Sequence, residues 1–426
     1  MRILEVTDCY PPPVVGGRDL QVQLLSHELA SRGHEVNVVA LAGSSGPRTE
    51  MDGSIPVHRV AGWSRVLTRL YVDPDKPFHP TLADPGVVRV LRRLLRELRP
   101  DVVHAHSWML YSFLPLLPWE GTKVVVSIHE YGFVCPKNTF SYRGGVCSGP
   151  AYLKCVSCAA GQYGFVRSLA LTTGLTLMRP WTGRVDRYIA NSAATARASA
   201  RLPGPGGAPI AIIPPFVPDS AFGKLPRGRP GFVPPEGDYL MFAGGLGPYK
   251  GLDVLLEAWG GLDPKVPLVV AGVRRPDTPK VFPPGVIVAE DVPHREVLRA
   301  WNHCVAAIVP SRWPEPFGTV ALEAMAAGVP VVVSKVGGLR DLVVDEVTGI
   351  LVPPGDSVAL RRAMGRLLSD QALRQRLGGA GRERALAYSA STVVRAWEEV
   401  FRGVVLGVKA PSESSSLNVD DGEQAE

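Results

Sequence analysis

Residues 311–330 read SRWPEPFGTVALEAMAAGVP. The segment follows a short β-branched run at 306–309 and leads into a second one at 329–334, so it is a strand–helix–strand unit. Pro316 suits the first turn of a helix, and Gly328 with Pro330 stops it. Glu315 and Glu323 then lie about two turns apart near one end of the unit. Paired carboxylates suit a ligand with neighbouring hydroxyls, because each oxygen accepts from an OH. A glutamate set among Ala, Leu and Met is expected to face a ligand, since the alternative is a buried charge without a partner.

The same strand–helix rhythm extends in both directions. Apolar runs at 3–7, 35–40, 102–106, 123–129 and 187–191 form a first series. A second begins at 239–243 and continues through 267–271, 286–289, 306–309, 329–334 and 349–352. Such runs, joined by helical stretches, are buried parallel strands. The predicted fold is α/β, with two Rossmann-like doubly wound parallel-sheet domains facing a central cleft. The stretch 202–231, rich in Pro and Gly, reads as the linker. The expected organisation is a first domain over 1–200, with a Cys-containing insertion at about 133–160, and a second over 201–388. A final helix at 389–408 and a disordered acidic tail at 409–426 complete it.

The chain has 426 residues, 46% hydrophobic and 20% charged, with 45 Gly and 40 Pro. Its size excludes a single small module, and its composition excludes collagen-like and wholly disordered chains. The net charge is +6, and Lys409 stands against Glu413, Asp420, Asp421, Glu423 and Glu426 in the tail, so residues 1–408 are more basic still. That excess suits phosphate-bearing ligands or an anionic membrane surface, with a broadly basic surface as the commoner reading, and no nucleic-acid partner is expected. Residues 84–98 combine an apolar stripe with Arg89, Arg92, Arg93 and Arg96, which reads as a sheet-covering helix with a solvated basic face. Met1 runs straight into a strand, with no apolar region of signal-peptide length. The expected location is cytoplasmic, with any contact to the inner face of the membrane peripheral.

Gly16 and Gly17, between the first strand and the helical run 20–32, would let a backbone approach a phosphate at a helix N-terminus. Cys135, Cys147, Cys155 and Cys158 crowd one segment and end in a Cys-x-x-Cys knuckle. Four thiolates at these spacings are candidates for a structural zinc site, with reduced packing thiols or disulfides as the other readings. The surroundings hold too few apolar residues to order the segment unaided. His104 and His106 end another strand and read first as structural.

With these residues in view, the chain resembles the nucleotide-sugar-dependent glycosyltransferase family 4, of GT-B fold. The resemblance rests on Glu315 and Glu323 within EPF and AMAAGVP, supported by Gly16-Gly17, GHEV (33–36), PDVVHAH (100–106), Lys250-Gly251 and VGG (336–338). It implies a retaining transfer that needs no metal, from a nucleotide sugar to a glycan, lipid-linked or small-molecule acceptor. It implies that Glu315 contacts donor-sugar hydroxyls, Glu323 holds the ribose, and His129 lies beside the reacting sugar. By the same resemblance Lys250 neutralises the diphosphate, backbone at Phe317 and Gly318 faces sugar and phosphate, and Pro316 and Thr319 complete the donor loop. The last helix would return to the first domain. Gly245 stands where the family pattern carries an arginine, so another cation is expected, with Arg312, Arg18 and Lys335 as candidates. The competing readings are a nucleotide-sugar epimerase or hydrolase on the same fold, and a non-catalytic subunit.

Overall fold

The computed structural model describes residues 1–12, 16–43, 46–63, 79–119, 121–204, 210–223 and 228–408. The expected acidic tail lies outside them. The chain divides into two units, Met1–Pro214 with the residues from Val394 onward, and Pro215–Val393. The division falls inside the Pro- and Gly-rich stretch.

The first unit holds β1 (Arg2–Thr7), β2 (Glu35–Leu41), β3 (Arg48–Asp52), β4 (Ile55–Val60), β5 (Val102–Ala105), β6 (Lys123–Ile128), β9 (Arg187–Ala190) and β10 (Ala211–Ile212). They form one sheet in the order β10-β9-β6-β5-β1-β2-β4-β3, with β7 (Ser141–Tyr142) and β8 (Gly145–Val146) as a separate hairpin. All neighbours in the large sheet are parallel except β3, which runs antiparallel to β4. Strands β3, β4 and β10 were not apparent from apolar runs. The sheet is covered by α1 (Gly17–Ser31), α2 (Pro85–Leu98), α3 (Leu110–Phe113), α4 (Tyr152–Tyr163), α5 (Phe165–Met178) and α6 (Ala193–Ser199). Asp84 caps α2 by accepting from the N–H groups of Gly86 and Val87, with Pro85 at the first helical position.

The second unit holds β11 (Leu240–Leu246), β12 (Leu268–Arg274), β13 (Val286–Glu290), β14 (Ala306–Val309), β15 (Val331–Ser334) and β16 (Ile350–Val352). These are all parallel, in the order β13-β12-β11-β14-β15-β16. The surrounding helices are α7 (Leu252–Gly260), α8 (His294–Trp301), α9 (Thr319–Ala326), α10 (Leu339–Leu342), α11 (Ser357–Ser369) and α12 (Gln371–Leu386). The last helix, α13 (Ala390–Leu406), belongs to the first unit from Val394. There Trp397 and Phe401 pack on the His104 ring, and Glu398 bonds Arg32 and His34. Among the described residues no helix is long and apolar enough to cross a membrane.

The insertion after β6 corrects the expectation that it could not order itself. The Tyr131 and Phe140 rings stack at 5.0 Å, Phe133, Val156 and Ala159 are buried, and Trp108 donates its indole N–H to the Gly132 carbonyl at 2.9 Å. A few aromatic groups bury enough area to do what many small apolar residues would.

In each sheet the strand order reverses beside the first strand of the unit: between β1 and β5 in one, between β11 and β14 in the other. Loops at the carboxyl ends of such neighbours splay apart, which is where open α/β sheets bind ligands. Gly251 makes the second of these possible. It adopts φ +77, and a Cβ there would lie 1.9 Å from the Pro310 carbonyl oxygen. Gly251→Ala should therefore destabilise the protein by about 2 kcal/mol or more, measured by urea unfolding, and displace the adjoining Lys250.

Candidate active site

Residues after β11 and β14 meet at the switch point of the second unit. Pro248–Lys250 forms a short 3-10 turn. The N–H groups of Arg312 and Trp313 donate to the Tyr249 carbonyl, tying the two loops together. The Lys250 ammonium then lies 2.6 Å from Glu315 Oε1 and 5.0 Å from the centre of the Trp313 ring. The Ser311 hydroxyl donates to the same Glu315 oxygen at 2.5 Å. Gly337 lets the next loop close over this glutamate: a Cβ there would lie 2.1 Å from the Glu315 carbonyl oxygen, and the Gly338 N–H donates to that oxygen at 2.8 Å.

The helix of the motif begins three residues later than expected, at Thr319, because Gly318 takes φ +105 as its N-cap. Pro316 and Phe317 are buried ahead of it, and Thr319 is half-buried. The expectation that a structural role would leave unpartnered charges is corrected as well. Glu315 is 5% exposed and has Lys250 and Ser311, while Glu323 Oε1 bonds His294 Nε2 at 2.9 Å. Burial pulls the His294 pKa down, but the hydrogen bond and charge of Glu323 outweigh it and raise the group above its ordinary range.

Gly245 pairs in register with Val273, and a side chain there would run into the Tyr249 hydroxyl, 2.2 Å from an ideal Cβ. Arg275 Nε lies 3.5 Å from the same point. Three other cations were expected to take that place. Arg312 pairs with Asp253 at 2.9 Å, Arg18 bonds Asp19 and Glu130, and Lys335 is exposed after β15. Arg275 is a cation beside Gly245 that sequence reasoning missed, an arginine at a strand end with nothing in its local sequence to mark it.

In the first unit, Gly16 and Gly17 start α1, but the Gly16 N–H already donates to Asp19 Oδ2 at 3.1 Å. Arg59 of β4 is buried and donates to the carbonyls of Tyr10, Pro11 and Pro12, pinning the approach to that turn. Asp8, at the end of β1, accepts from Ser107 at 2.7 Å. Burial pushes its carboxyl up to about 6, against the pull of Arg18 and Ser107 and with the help of Glu130 and Asp19.

His129 follows β6, and it is the end of a chain of buried groups. Its Nε2 lies 2.8 Å from His106 Nδ1, and His106 Nε2 lies 2.5 Å from Glu5 Oε2. His104 Nδ1 stands 3.0 Å from that same oxygen, and His104 Nε2 bonds the Ser127 hydroxyl at 2.8 Å. Burial pushes Glu5 up, yet the charges and hydrogen bonds of His104 and His106 bring it down to about 2. Burial, joined by repulsion from His104, lowers His106 to about 4. Burial and then the neighbouring His106, Arg18 and His104 hold His129 well below its ordinary value.

These states fix the protons. An ionised Glu5 accepts from His106 Nε2–H, a neutral His106 then accepts at Nδ1, and His129 must donate from Nε2. The remaining nitrogen of His129, Nδ1, carries a lone pair and accepts. His106 thus links Glu5 to His129, a connection its reading as a structural histidine did not include. The signal in the sequence was the HAH triplet, but its partner Glu5 lies about a hundred positions earlier in an unremarkable strand.

Among the described residues, Glu5, His104 and His106 are the one set of three His, Cys, Asp or Glu ligand atoms within 4.8 Å of each other. Carboxylate–imidazole hydrogen bonds account for those distances. The four cysteines of the insertion form no such set, and all six cysteines are free thiols. Lys154 and Lys137 approach the sulfurs of Cys147 and Cys158 at 3.5 Å, and burial raises the Cys135 and Cys155 thiols. Two ammonium groups beside sulfurs that do not converge are a poor fit for zinc.

Two family models match the chain: "Glycosyltransferase Family 4" over residues 15–221 and "Glycosyl transferases group 1" over 229–384. It is 32% identical to a D-inositol 3-phosphate glycosyltransferase of Streptomyces griseus over 91% of this chain and 84% of that protein. The chain belongs to glycosyltransferase family 4. It is also 29% identical to a glycogen synthase of Mycobacterium tuberculosis, over 96% of this chain and 97% of the relative. A sucrose-phosphate synthase from Thermosynechococcus elongatus superimposes with a TM-score of 0.73 at 20% identity, covering 96% of this chain and all of the other. The fold of this glycosyltransferase is thus GT-B, and the chain is an enzyme of that class.

Two predictions follow from the buried histidines. His79, also fully buried, is lowered to about 4 by burial, like His106. An unfolded chain protonates both near 6.5, so it binds more protons than the folded one between about pH 6.5 and 4. Stability is full above that window and is lost as pH falls through it, by up to about 1.4 kcal/mol per group per pH unit. Asp8, Glu130 and His294, whose values are raised, act in the opposite sense, while His129, held well below its ordinary value, adds to the loss. Urea unfolding at pH 5 should give a clearly lower stability than at pH 7.5. The second concerns the tautomer: His106→Phe should lower turnover by about tenfold or more while donor affinity stays put, and should mix the two neutral forms of His129 in its ring-nitrogen NMR spectrum.

Proposed function

We propose that this glycosyltransferase takes its sugar from a nucleotide-sugar donor and transfers it with retention of anomeric configuration to a hydroxyl of a glycan, lipid-linked or small-molecule acceptor. The observation that carries the reading is the Ser311–Glu315–Lys250 cluster at the switch point of the second unit. A buried carboxylate beside an ammonium offers what a sugar diphosphate needs: acceptors for hydroxyls and a positive charge for the departing phosphate. Glu323, on the helix that follows, suits a ribose diol, with His294 holding its orientation.

In this proposal catalysis is chiefly stabilisation of an oxocarbenium-like sugar and an anionic leaving group. Lys250 supplies charge to the diphosphate, Arg275 takes the place of the guanidinium missing at Gly245, and no divalent metal is needed. His129 is assigned to the reacting sugar, accepting a hydroxyl hydrogen through Nδ1 rather than acting as a cation. The presence of Arg275 favours an active enzyme over a subunit disabled by Gly245.

The test is binding of UDP-, GDP-, ADP- and dTDP-sugars by calorimetry, followed by transfer assays with the donor that binds. Lys250→Ala and Glu315→Ala should each lower transfer by about tenfold or more, and Arg275→Ala should weaken the nucleoside diphosphate by about tenfold. Wild-type rates in both of the first two variants would overturn the site. Unchanged affinity in the third would return the role of the missing arginine to another residue.

A further inference from the structure

We propose that the α4–α5 hairpin is a docking surface for an anionic lipid membrane. Helix α5 is apolar on two faces. Leu171 and Leu175 pack against the core of the first unit, and Met178 is buried in it. Phe165, Val166, Leu169, Thr173 and Leu177 fall within an arc of about 120° on the opposite side, at 100° per residue. That arc faces solvent: Phe165 is 65% exposed, Val166 73% and Leu177 58%. The paired helix adds Leu153, 80% exposed, and the two helices are tied by the Tyr152 hydroxyl on Thr173 at 2.7 Å. An isolated exposed Leu is ordinary, but a helix apolar on two opposite faces with one of them unburied is not.

The charge around this face selects the occupant. From Tyr131 to Val185 the sequence contains no Asp or Glu, whereas it carries Lys137, Arg143, Lys154, Arg167, Arg179 and Arg184. Two copies meeting through this face would bring like charges together. A bilayer with anionic headgroups offers hydrocarbon for the protruding side chains and negative charge for the bases beside them. At the end of the helix Trp181 is partly exposed, with the Arg184 guanidinium 4.2 Å from its ring centre, the pairing of an amphipathic aromatic and a cation that suits a headgroup layer. Helix α2 differs. Its outward arginines, Arg89 and Arg92, border a shallow groove whose other lining residues, Ala83, Pro85, Val88 and Pro115, have small apolar side chains.

The experiment is sedimentation of the full chain with vesicles of phosphatidylcholine alone or mixed with phosphatidylglycerol, at low and high salt. Protein should pellet with the anionic vesicles, stay in solution with the neutral ones, and be released by salt. Phe165→Ser with Val166→Ser, and separately Arg179→Glu with Arg184→Glu, should each reduce the bound fraction by about tenfold. Arg89→Glu with Arg92→Glu should change it by less than about twofold. Leu153→Ser provides an independent variant on α4, and unchanged circular dichroism confirms that the surface variants are folded.

Three results would overturn the proposal. Wild-type protein could fail to bind anionic vesicles, or bind them equally well with the hairpin substituted. Alternatively, the lipid-free protein could be a dimer that Phe165→Ser with Val166→Ser converts to monomer, which would assign the face to a second copy. Because no step requires sugar transfer, these outcomes are independent of those that test the donor site.

Discussion

A parallel sheet covered on both faces gives a polar group at a strand end only two environments, a ligand or a partner from the neighbouring strand. This constraint organises both halves of the enzyme. In the first unit the carboxylate of β1, Glu5, is met by His104 and His106 from β5, and His106 is met by His129 after β6. In the second, Ser311 and Glu315 after β14 are met by Lys250 after β11. Each assembly sits where the strand order reverses, so the loops leave room beside it. Most of these polar groups are satisfied by each other, whereas Glu5 Oε1 is buried without a hydrogen-bond partner.

The consequence for chemistry differs between the two. The Glu5 chain is buried up to the half-buried His129 and is directional: one ionised carboxylate decides which nitrogen of His106 holds a proton, and hence which nitrogen of His129 does. An imidazole at a surface would exchange tautomers freely, whereas this one is fixed by a charge two residues removed in space. The Lys250–Glu315 pair is only partly buried, and its partners can be exchanged for a ligand's hydroxyls and phosphates at modest cost.

How far the sequence disclosed these features follows from how local each one is. The eleven runs read as strands are continuous apolar segments, and a buried parallel strand can scarcely be anything else. Strand β3, with the sequence Arg-Thr-Glu-Met-Asp, was invisible because an edge strand needs no apolar alternation, and β10 was too short to show. Glu315, Glu323 and Lys250 were legible because a motif holds them at fixed spacing. Their partners were not: His294 lies on the helix before that of Glu323, and nothing in the sequence marks Ser311 as a partner of Glu315. Arg275 could be found only once the pairing of β11 and β12 set it beside Gly245. The cysteines were legible only as a spacing, and what the structure adds to that segment is a stack of aromatic rings and sulfurs that do not converge.

The shared oxygen of Glu315 explains why the sugar and the phosphate should be recognised together. Oε1 accepts from both Lys250 and Ser311, so the ammonium is shielded by a neighbouring carboxylate and lies against the Trp313 ring. In the proposed donor site, a nucleotide alone would compete with Glu315 for Lys250. A donor that also offered hydroxyls to Glu315 would satisfy the carboxylate as it drew the ammonium toward the diphosphate, so that neither charge was left unpaired. Removing one member then costs more than its own contact, because the group left behind stays partly buried without its partner. Positive charge held in place by the fold needs little reorganisation as the leaving group gains its charge, which is the condition under which electrostatic stabilisation favours the transition state over the bound donor.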